Sequence, residues 1–130
     1  MTKTLPLKQE TDIVAIRHAV RKSAEEARLG LVSQTKIVTA ASEIARNALI
    51  YGGGGECRIE IGTRQNRAAV RLVISDQGPG IADIERALVD GYTSGSGLGL
   101  GLSGSRRLVD EFSIQSQPGA GTTVELWKWK

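Results

Sequence analysis

Apolar residues recur every three or four positions in two stretches of the first half of the chain. The first stretch opens at Asp12 and is followed by Gly30, and the second begins after Ser33, a candidate N-cap, and closes at Tyr51 before a run of glycines. This spacing predicts two amphipathic helices. Their buried faces are expected to carry Ile13, Ile16, Val20, Ala24 and Ala27 in the first helix, and Ile37, Ala41, Ile44 and Ala48 in the second.

Apolar and polar residues alternate at several other places, which predicts strands. Leu5 and Leu7 indicate a short first strand. Residues 57–64 and 68–75 read as a hairpin with its turn at residues 65–66.

The second half of the chain combines both patterns. Residues 81–88 predict a short helix, residues 90–96 a small, polar and glycine-rich loop suited to a lid, and residues 102–112 another helix. Two strands, 113–117 and 122–129, flank a turn. Because strands and helices are grouped, we expect an α+β fold. It would be a two-layer sandwich whose mixed, mostly antiparallel sheet is covered on one face by helices.

Composition narrows the class of protein. With 130 residues and 40% apolar content, a single domain spanning 1–130 is expected. Cys57 and His18 are the only residues of their types, which excludes an internal disulfide and a His/Cys metal site. Cys57 is expected to be a strand side chain in a reducing compartment. No run reaches the ~18 apolar residues of a membrane span, and the start lacks an apolar signal core, so a cytoplasmic protein without a membrane partner is expected.

The chain is basic, with a formal net charge of +3 and a pI near 9.3. Its basic residues are scattered and aromatic residues make up only 4%, whereas a single-strand nucleic-acid binder needs stacking aromatics along a positive groove. Nucleic acid is therefore not expected as a partner. Acidic proteins or nucleotide phosphates fit the charge better.

Asp76 stands at the end of an apolar strand and is followed by Gly78 and Gly80. A carboxylate in this position can accept a hydrogen bond from an exocyclic amine, while the glycines let the backbone approach a flat ring. This pattern is typical of adenine recognition.

Two further motifs suit the rest of a nucleotide. The glycine-rich stretch 97–101 precedes a predicted helix, and the free N–H groups of such a segment bind phosphates. Glu43 and Asn47 lie four residues apart on the second predicted helix and therefore project from one surface. A carboxylate and an amide so placed suit a metal ion and a polarised hydroxyl.

Each motif alone has a structural alternative. Asp76 could be a turn aspartate, 97–101 a flexible loop, and Glu43 a local partner of Asn47 or Arg46. A dinucleotide-binding Rossmann motif is excluded because a polar loop, not a strand, precedes the glycines. A P-loop is excluded because no Gly-Lys-Ser/Thr follows.

Taken in order, residues 43–47, 76–80, 97–101 and 121–122 resemble the four motifs of the GHKL superfamily. This superfamily has the ATP-binding Bergerat fold, and it includes DNA gyrase B, heat-shock protein 90, histidine kinases and the anti-sigma-factor serine kinases. The resemblance runs from Ser42 to the end of the chain and implies ATP as the cofactor together with Mg²⁺.

The resemblance also implies roles for four side chains. Asn47 would coordinate Mg²⁺, and Asp76 would accept a hydrogen bond from the adenine amino group. Thr122 would support that aspartate and its associated water. Glu43 would be the general base for the attacking hydroxyl. For Arg46, a pairing with phosphate or Asp76 and a solvent-exposed charge remain equal alternatives.

The glycines would act through their backbone. Gly78 and Gly80 would shape the base pocket, and Gly97, Gly99 and Gly101 would direct N–H groups at the phosphates. Many related kinases place a cation in the lid, yet residues 91–105 contain no Arg or Lys. Arg106 or Arg107 could substitute for it, or transfer could be slow.

Within the superfamily, the expected single domain resembles the anti-sigma-factor serine/threonine kinases. Residues 93–112 and 128–130 are especially similar to the stressosome switch kinases. Those kinases phosphorylate STAS-domain scaffold proteins, leave the stressosome and activate a PP2C-type phosphatase. STAS proteins and a PP2C phosphatase are thus the expected partners. Two alternatives remain: an anti-sigma factor that sequesters a sigma factor, and a nucleotide-gated adaptor with negligible transfer.

Overall fold

The structure is a computed structural model, and it describes residues 2–50, 52–78, 104–116 and 118–130. Residues 104–108 are helical. The other elements follow in chain order: β1 (Thr2–Leu7), α1 (Glu10–Glu26), α2 (Leu31–Ile50), β2 (Gly55–Arg64), β3 (Arg67–Asp76), β4 (Glu111–Ser116) and β5 (Thr122–Trp129).

The five strands form one open sheet in the order β1-β2-β3-β5-β4, and each neighbouring pair is antiparallel. The predicted hairpin is confirmed as β2 and β3, which pair from Gly55 and Asp76 down to Arg64 and Arg67. At its turn both Gln65 and Asn66 have positive φ, 54° and 59°. Two such residues match the right-handed twist of the flanking strands and set the register of this long hairpin.

Helices α1 and α2 pack against one face of the sheet, which we call the covered face. All the apolar positions predicted for the two helices are buried, and they join one cluster with sheet residues such as Ile59, Leu72, Ile74 and Leu126. The predicted α+β class, with helices on one side of an antiparallel sheet, is confirmed. None of the helices in the described residues is long and apolar enough to span a membrane.

The ends of α1 differ by a few residues from the prediction. The helix begins at Glu10, and Asp12 lies inside it, where its Oδ2 accepts hydrogen bonds from the N–H groups of residues 8 and 9 at 2.8 and 3.1 Å. The helix ends at Glu26 with Ala27 as its C-cap, not at Gly30, because Arg28 adopts a φ of 61° and the Leu29 N–H donates back to the Ala24 carbonyl. Leu29 is buried by the same turn.

Two other boundaries were wrong. Ser33 lies inside α2, which begins at Leu31. The helix predicted over 102–112 gives way to strand β4 from Glu111, because Phe112 and Ile114 pair in register with the covered-face residues of β5. The tertiary sheet overrides the helical spacing there. The predicted helix at 81–88 and the predicted lid at 90–96 lie outside the described residues.

Cys57 lies on β2 and is fully buried, as expected for a strand side chain. Burial raises the pKa of its thiol to about 12, since the surrounding core disfavours the thiolate. The residue is therefore a neutral core side chain at physiological pH.

Candidate functional site

The candidate residues Asp76 and Thr122 lie in the last cross-strand row of the sheet. Register places Leu7, Gly55, Asp76, Thr122 and Ser116 side by side across β1, β2, β3, β5 and β4. Side chains in one such row share a face, here the covered face, since alternate residues further along each strand enter the core. The sheet therefore brings Asp76 and Thr122 together although 45 residues separate them in sequence.

Asp76 is largely buried, with 9% of its surface exposed. Its Oδ1 accepts a hydrogen bond from the Gly78 N–H at 2.9 Å, which closes a tight turn at the strand end. An ionised carboxylate offers about four acceptor positions, so this single bond orients the group and leaves capacity for further donors.

Glycines pack closely around Asp76. Gly121 has a φ of 81°, and a Cβ there would collide with the Asp76 carbonyl oxygen. Gly52, just past the end of α2, lies against the Asp76 carboxylate itself. Reasoning from the sequence missed Gly52 because it belongs to a run of four glycines whose separate contacts depend on the fold.

Thr122 has a hydroxyl partner that was also missed. Ser116 Oγ lies 2.8 Å from Thr122 Oγ1 and donates to the Gly121 carbonyl at 3.1 Å. A hydroxyl has one proton, so with Ser116 donating to Gly121, Thr122 donates to Ser116. The Thr122 oxygen then keeps acceptor capacity for a further donor.

Helix α2 supplies the second group of candidate residues. Glu43 is exposed and Asn47 is half-buried, one turn further along. The Asn47 Nδ2 atom is buried and has no hydrogen-bond partner among the described residues. Buried amides without a partner are rare in folded proteins, so this atom is a candidate contact for a ligand or a water molecule.

No group of three or more His, Cys, Asp or Glu side chains in the described residues could hold a metal ion. Mg²⁺ takes oxygen ligands and is commonly bound through one or two protein groups plus substrate phosphates. The amide of Asn47 has an oxygen and a nitrogen that exchange places on rotation, so its buried end could present either. The Asn47 side chain therefore fits a magnesium ion held between one protein group and a nucleotide.

The cationic candidates lie at the surface. Arg46 is exposed and, with Glu10, Val14 and Arg17, lines a groove of about 300 Å³ between α1 and α2, so the exposed-charge alternative is favoured. The segment 104–108 carries Arg106 and Arg107, both exposed. Its Ser105 is buried against α2, 3.5 Å from the Ala40 carbonyl. The remaining candidates, Gly80, Gly97, Gly99 and Gly101, lie outside the described residues.

Residues 32–130 match the family described as histidine kinase-, DNA gyrase B-, and HSP90-like ATPase. The match covers most of the chain, including strands β2 to β5 and nearly all of α2. The chain belongs to this family, and its resemblance to the GHKL superfamily is confirmed. ATP is the nucleotide that this family implies.

Two relatives show which members of this family the chain resembles. The chain is 44% identical to the serine/threonine-protein kinase RsbT of Bacillus subtilis (strain 168), over 92% of this chain and 90% of the relative. It is 35% identical to an anti-sigma F factor of Bacillus licheniformis, over 72% of this chain and 68% of the relative.

A solved structure supports the fold. The crystal structure of the RsbU and RsbW domains of a Mycobacterium tuberculosis protein matches with a TM-score of 0.68 and 21% identity. The match covers 99% of this chain but only 32% of the larger one. At this identity the likeness concerns the fold alone.

Proposed function

We propose that this protein is a Mg²⁺-ATP-dependent protein serine/threonine kinase that phosphorylates STAS-domain partners in a bacterial partner-switching stress pathway. The observation that carries the proposal is the pair Glu43 and Asn47 on α2, an exposed carboxylate one turn from a buried amide donor without a partner. The 44% identity to a protein named serine/threonine-protein kinase supports the same reaction class.

The base would bind at the end of β3. Asp76, oriented by the Gly78 N–H, would accept a hydrogen bond from the adenine amino group. Thr122 would hold a water between its hydroxyl and that carboxylate, with its own proton directed at Ser116. Gly78 and Gly80 would shape the walls of the base pocket.

The phosphates would extend towards α2. Asn47 would contact them through Mg²⁺, and Gly97, Gly99 and Gly101 would donate backbone N–H groups. When bound, Mg²⁺ neutralises charge on the phosphate oxygens. Arg106 or Arg107, both exposed, would supply the cation that residues 91–105 lack.

Glu43 would be the general base. Its exposure suits a reaction with a hydroxyl that another protein presents, because a serine or threonine of that partner must come within hydrogen-bond reach of the carboxylate. The proton of the attacking hydroxyl would pass to Glu43 as the oxygen takes the γ-phosphoryl group from ATP, leaving ADP.

Partner exchange would follow from the charge on the product. A phosphorylated serine or threonine carries about −1.5 to −2 charges, which disfavours an interface packed around the former hydroxyl. Repelled from the phosphorylated STAS partner, the kinase would then bind and activate a PP2C-type phosphatase. The relatives named anti-sigma F factor favour a second candidate function, an anti-sigma factor with serine kinase activity that sequesters a sigma factor.

The test mixes purified protein, Mg²⁺-ATP and the STAS-domain proteins encoded in its genome, and follows phosphate incorporation and complex size together. We expect incorporation into serine or threonine, a smaller complex afterwards, and dependence on Mg²⁺. Absence of incorporation into every STAS protein would contradict the kinase, and phosphorylation without loss of the complex would contradict release. Stable co-purification with a sigma factor instead would favour the second candidate.

A further inference from the structure

The carboxylate of Asp76 touches the backbone of Gly52. A Cβ built at Gly52 would lie 2.6 Å from both carboxylate oxygens, and its three nearest atoms all belong to the Asp76 carboxyl group. Gly78 also packs closely against Gly52, since a Cβ at Gly78 would lie 2.9 Å from the Gly52 carbonyl carbon and oxygen. Gly52, Asp76 and Gly78 thus form one contact in which only the aspartate has a side chain.

Backbone conformation does not explain a glycine at position 52. Its neighbours Gly53 and Gly54 have φ values of 74° and 105°, which favour glycine whatever surrounds them. Gly52 is not among the residues with positive φ, so an alanine could adopt its backbone. The atoms nearest to a side chain placed there are those of the Asp76 carboxylate.

We propose that Gly52 is a positioning residue that sets the purine selectivity of the nucleotide site, an inference that rests on the proposed adenine-binding role of Asp76. Gly52 bounds the carboxylate on one side while the Gly78 N–H holds Oδ1 at 2.9 Å. The carboxylate keeps one orientation, with its remaining acceptor capacity directed at the base.

The orientation matters because purines differ at the recognised atom. Adenine carries a 6-amino donor, which a carboxylate binds, whereas hypoxanthine carries a 6-oxo acceptor, which a carboxylate repels. A Cβ at position 52 would push the carboxylate out of place. Affinity for ATP would then fall, while affinity for inosine triphosphate would stay or rise.

The experiment measures ATP and inosine triphosphate affinity by calorimetric titration with Mg²⁺ for wild type, Gly52→Ala and Gly62→Ala. Gly62 is the matched control, since it is exposed on β2 and a Cβ there would meet nothing within 4 Å. Wild type and Gly62→Ala should prefer ATP by about 10-fold or more, the usual effect of one hydrogen bond to a charged group. In Gly52→Ala the ratio should approach one.

An equal loss of both affinities in Gly52→Ala, or an unchanged ratio, would overturn the positioning role while leaving the proposed function intact. Wild type that binds neither nucleotide would instead overturn the proposed function. The two failures are therefore distinguishable.

A second measurement needs no nucleotide and covers the case in which Gly52→Ala unfolds. Thermal unfolding is compared for Gly52→Ala made in wild type and made in an Asp76→Ala background. Because the three atoms nearest to the added Cβ all belong to the Asp76 carboxyl group, its destabilisation should largely disappear once that group is removed. An equal loss of Tm in both backgrounds would overturn the contact on which the inference depends.

Discussion

The two faces of the sheet differ in how their charged groups are held. We call the face opposite the covered face the open face. On the covered face, Asp76 stands at the end of an apolar column formed by Val70, Leu72 and Ile74. On the open face, one residue out of phase with that column, Arg71 lies between Glu60 and Glu125. The two faces differ in the groups that interact with each charged side chain.

The open-face charges satisfy one another. Arg71 Nη1 is 3.0 Å from Glu60 Oε2 and its Nη2 is 2.8 Å from Glu125 Oε2, although its buried Nε has no partner among the described residues. The Trp127 Nε1–H donates to Glu125 at 2.6 Å, and the Arg64 guanidinium lies 4.8 Å from the Trp127 ring centroid. The hydrogen bond from Arg71 holds the pKa of Glu125 below its ordinary value.

The covered-face end is built differently. Asp76 is held by a backbone N–H and by the close approach of glycines, and on α2 the Asn47 amide donor is left without a partner in the described part of the chain. Ion pairs between side chains of neighbouring strands stabilise the sheet, whereas a carboxylate that is oriented by backbone and keeps spare acceptor capacity is suited to a ligand. Substitutions in the open-face network should therefore affect stability, and substitutions at Asp76 or Asn47 should affect nucleotide binding.

The largest expected effect is on catalysis. Glu43→Gln should lower the rate of phosphate transfer by roughly 10² to 10⁴, the usual contribution of a general base, while ATP affinity stays the same. Single-turnover transfer from labelled ATP measures the rate and calorimetry the affinity. Glu26→Gln, an exposed glutamate at the end of α1, is the control. Full transfer by Glu43→Gln would remove this residue from the mechanism.

Next in size is nucleotide binding. Asp76→Asn replaces an acceptor with a group that also presents donors to the adenine amine, and we expect ATP binding to weaken by ~1 to 3 kcal/mol. The open-face variant Glu125→Gln should leave ATP affinity unchanged. Calorimetric titration of both variants tests the comparison directly, and an equal loss in the two would show that the faces do not differ as proposed.

The covered face also predicts an alkaline instability. The pKa of Cys57 is raised to about 12 in the folded protein, so the thiol stays neutral there while it ionises in the unfolded chain near its ordinary value of 9.0. Its contribution is fully present below that value and is lost as pH rises towards 12. Near pH 10.5 the loss should be about 2 kcal/mol relative to pH 7.

Urea unfolding at the two pH values measures this loss, with Cys57→Ala as the reference that lacks it. The difference between the proteins removes the titration of lysine and tyrosine. If both proteins lose the same stability, the thiol does not carry the effect.

The smallest expected effect lies on the open face at acid pH. The pKa of Glu125 is lowered in the folded protein, so its contribution is present above the ordinary value of 4.5 and is lost as pH falls through the lower folded value. Because solvent screens this part-exposed pair, the loss should not exceed about 1 kcal/mol. Urea unfolding of wild type and Glu125→Gln between pH 7 and 3 measures it, and a larger acid loss in the variant would contradict the sign.

Sequence patterns defined much of the candidate site because its motifs are local. Glu43 and Asn47 share a helical surface by their spacing alone, and Asp76 was identified as the end of an apolar strand before glycines. Gly52 and Ser116 were missed. Their importance comes from contacts with Asp76 and Thr122, and both depend on the packing of α2 against the sheet and on the register of β4 with β5.

The ends of the helices and strands show the same difference between local and tertiary information. The helix predicted at 102–112 has the correct spacing, but Phe112 pairs with Leu126 and extends the sheet instead. Spacing reports which residues can share a face. It does not report whether a neighbouring strand edge offers backbone partners, and here β5 does.

By itself the sequence determined the α+β class, the buried faces of α1 and α2, the β2–β3 hairpin and the order of the nucleotide motifs, because each follows from periodicity or from residues close in the chain. Only the tertiary structure decided how Asp76 is held. Its carboxylate is confined by a glycine 24 positions earlier and lies in register with a threonine 46 positions later. Such contacts require strand register and helix docking, which arise only when the whole core packs.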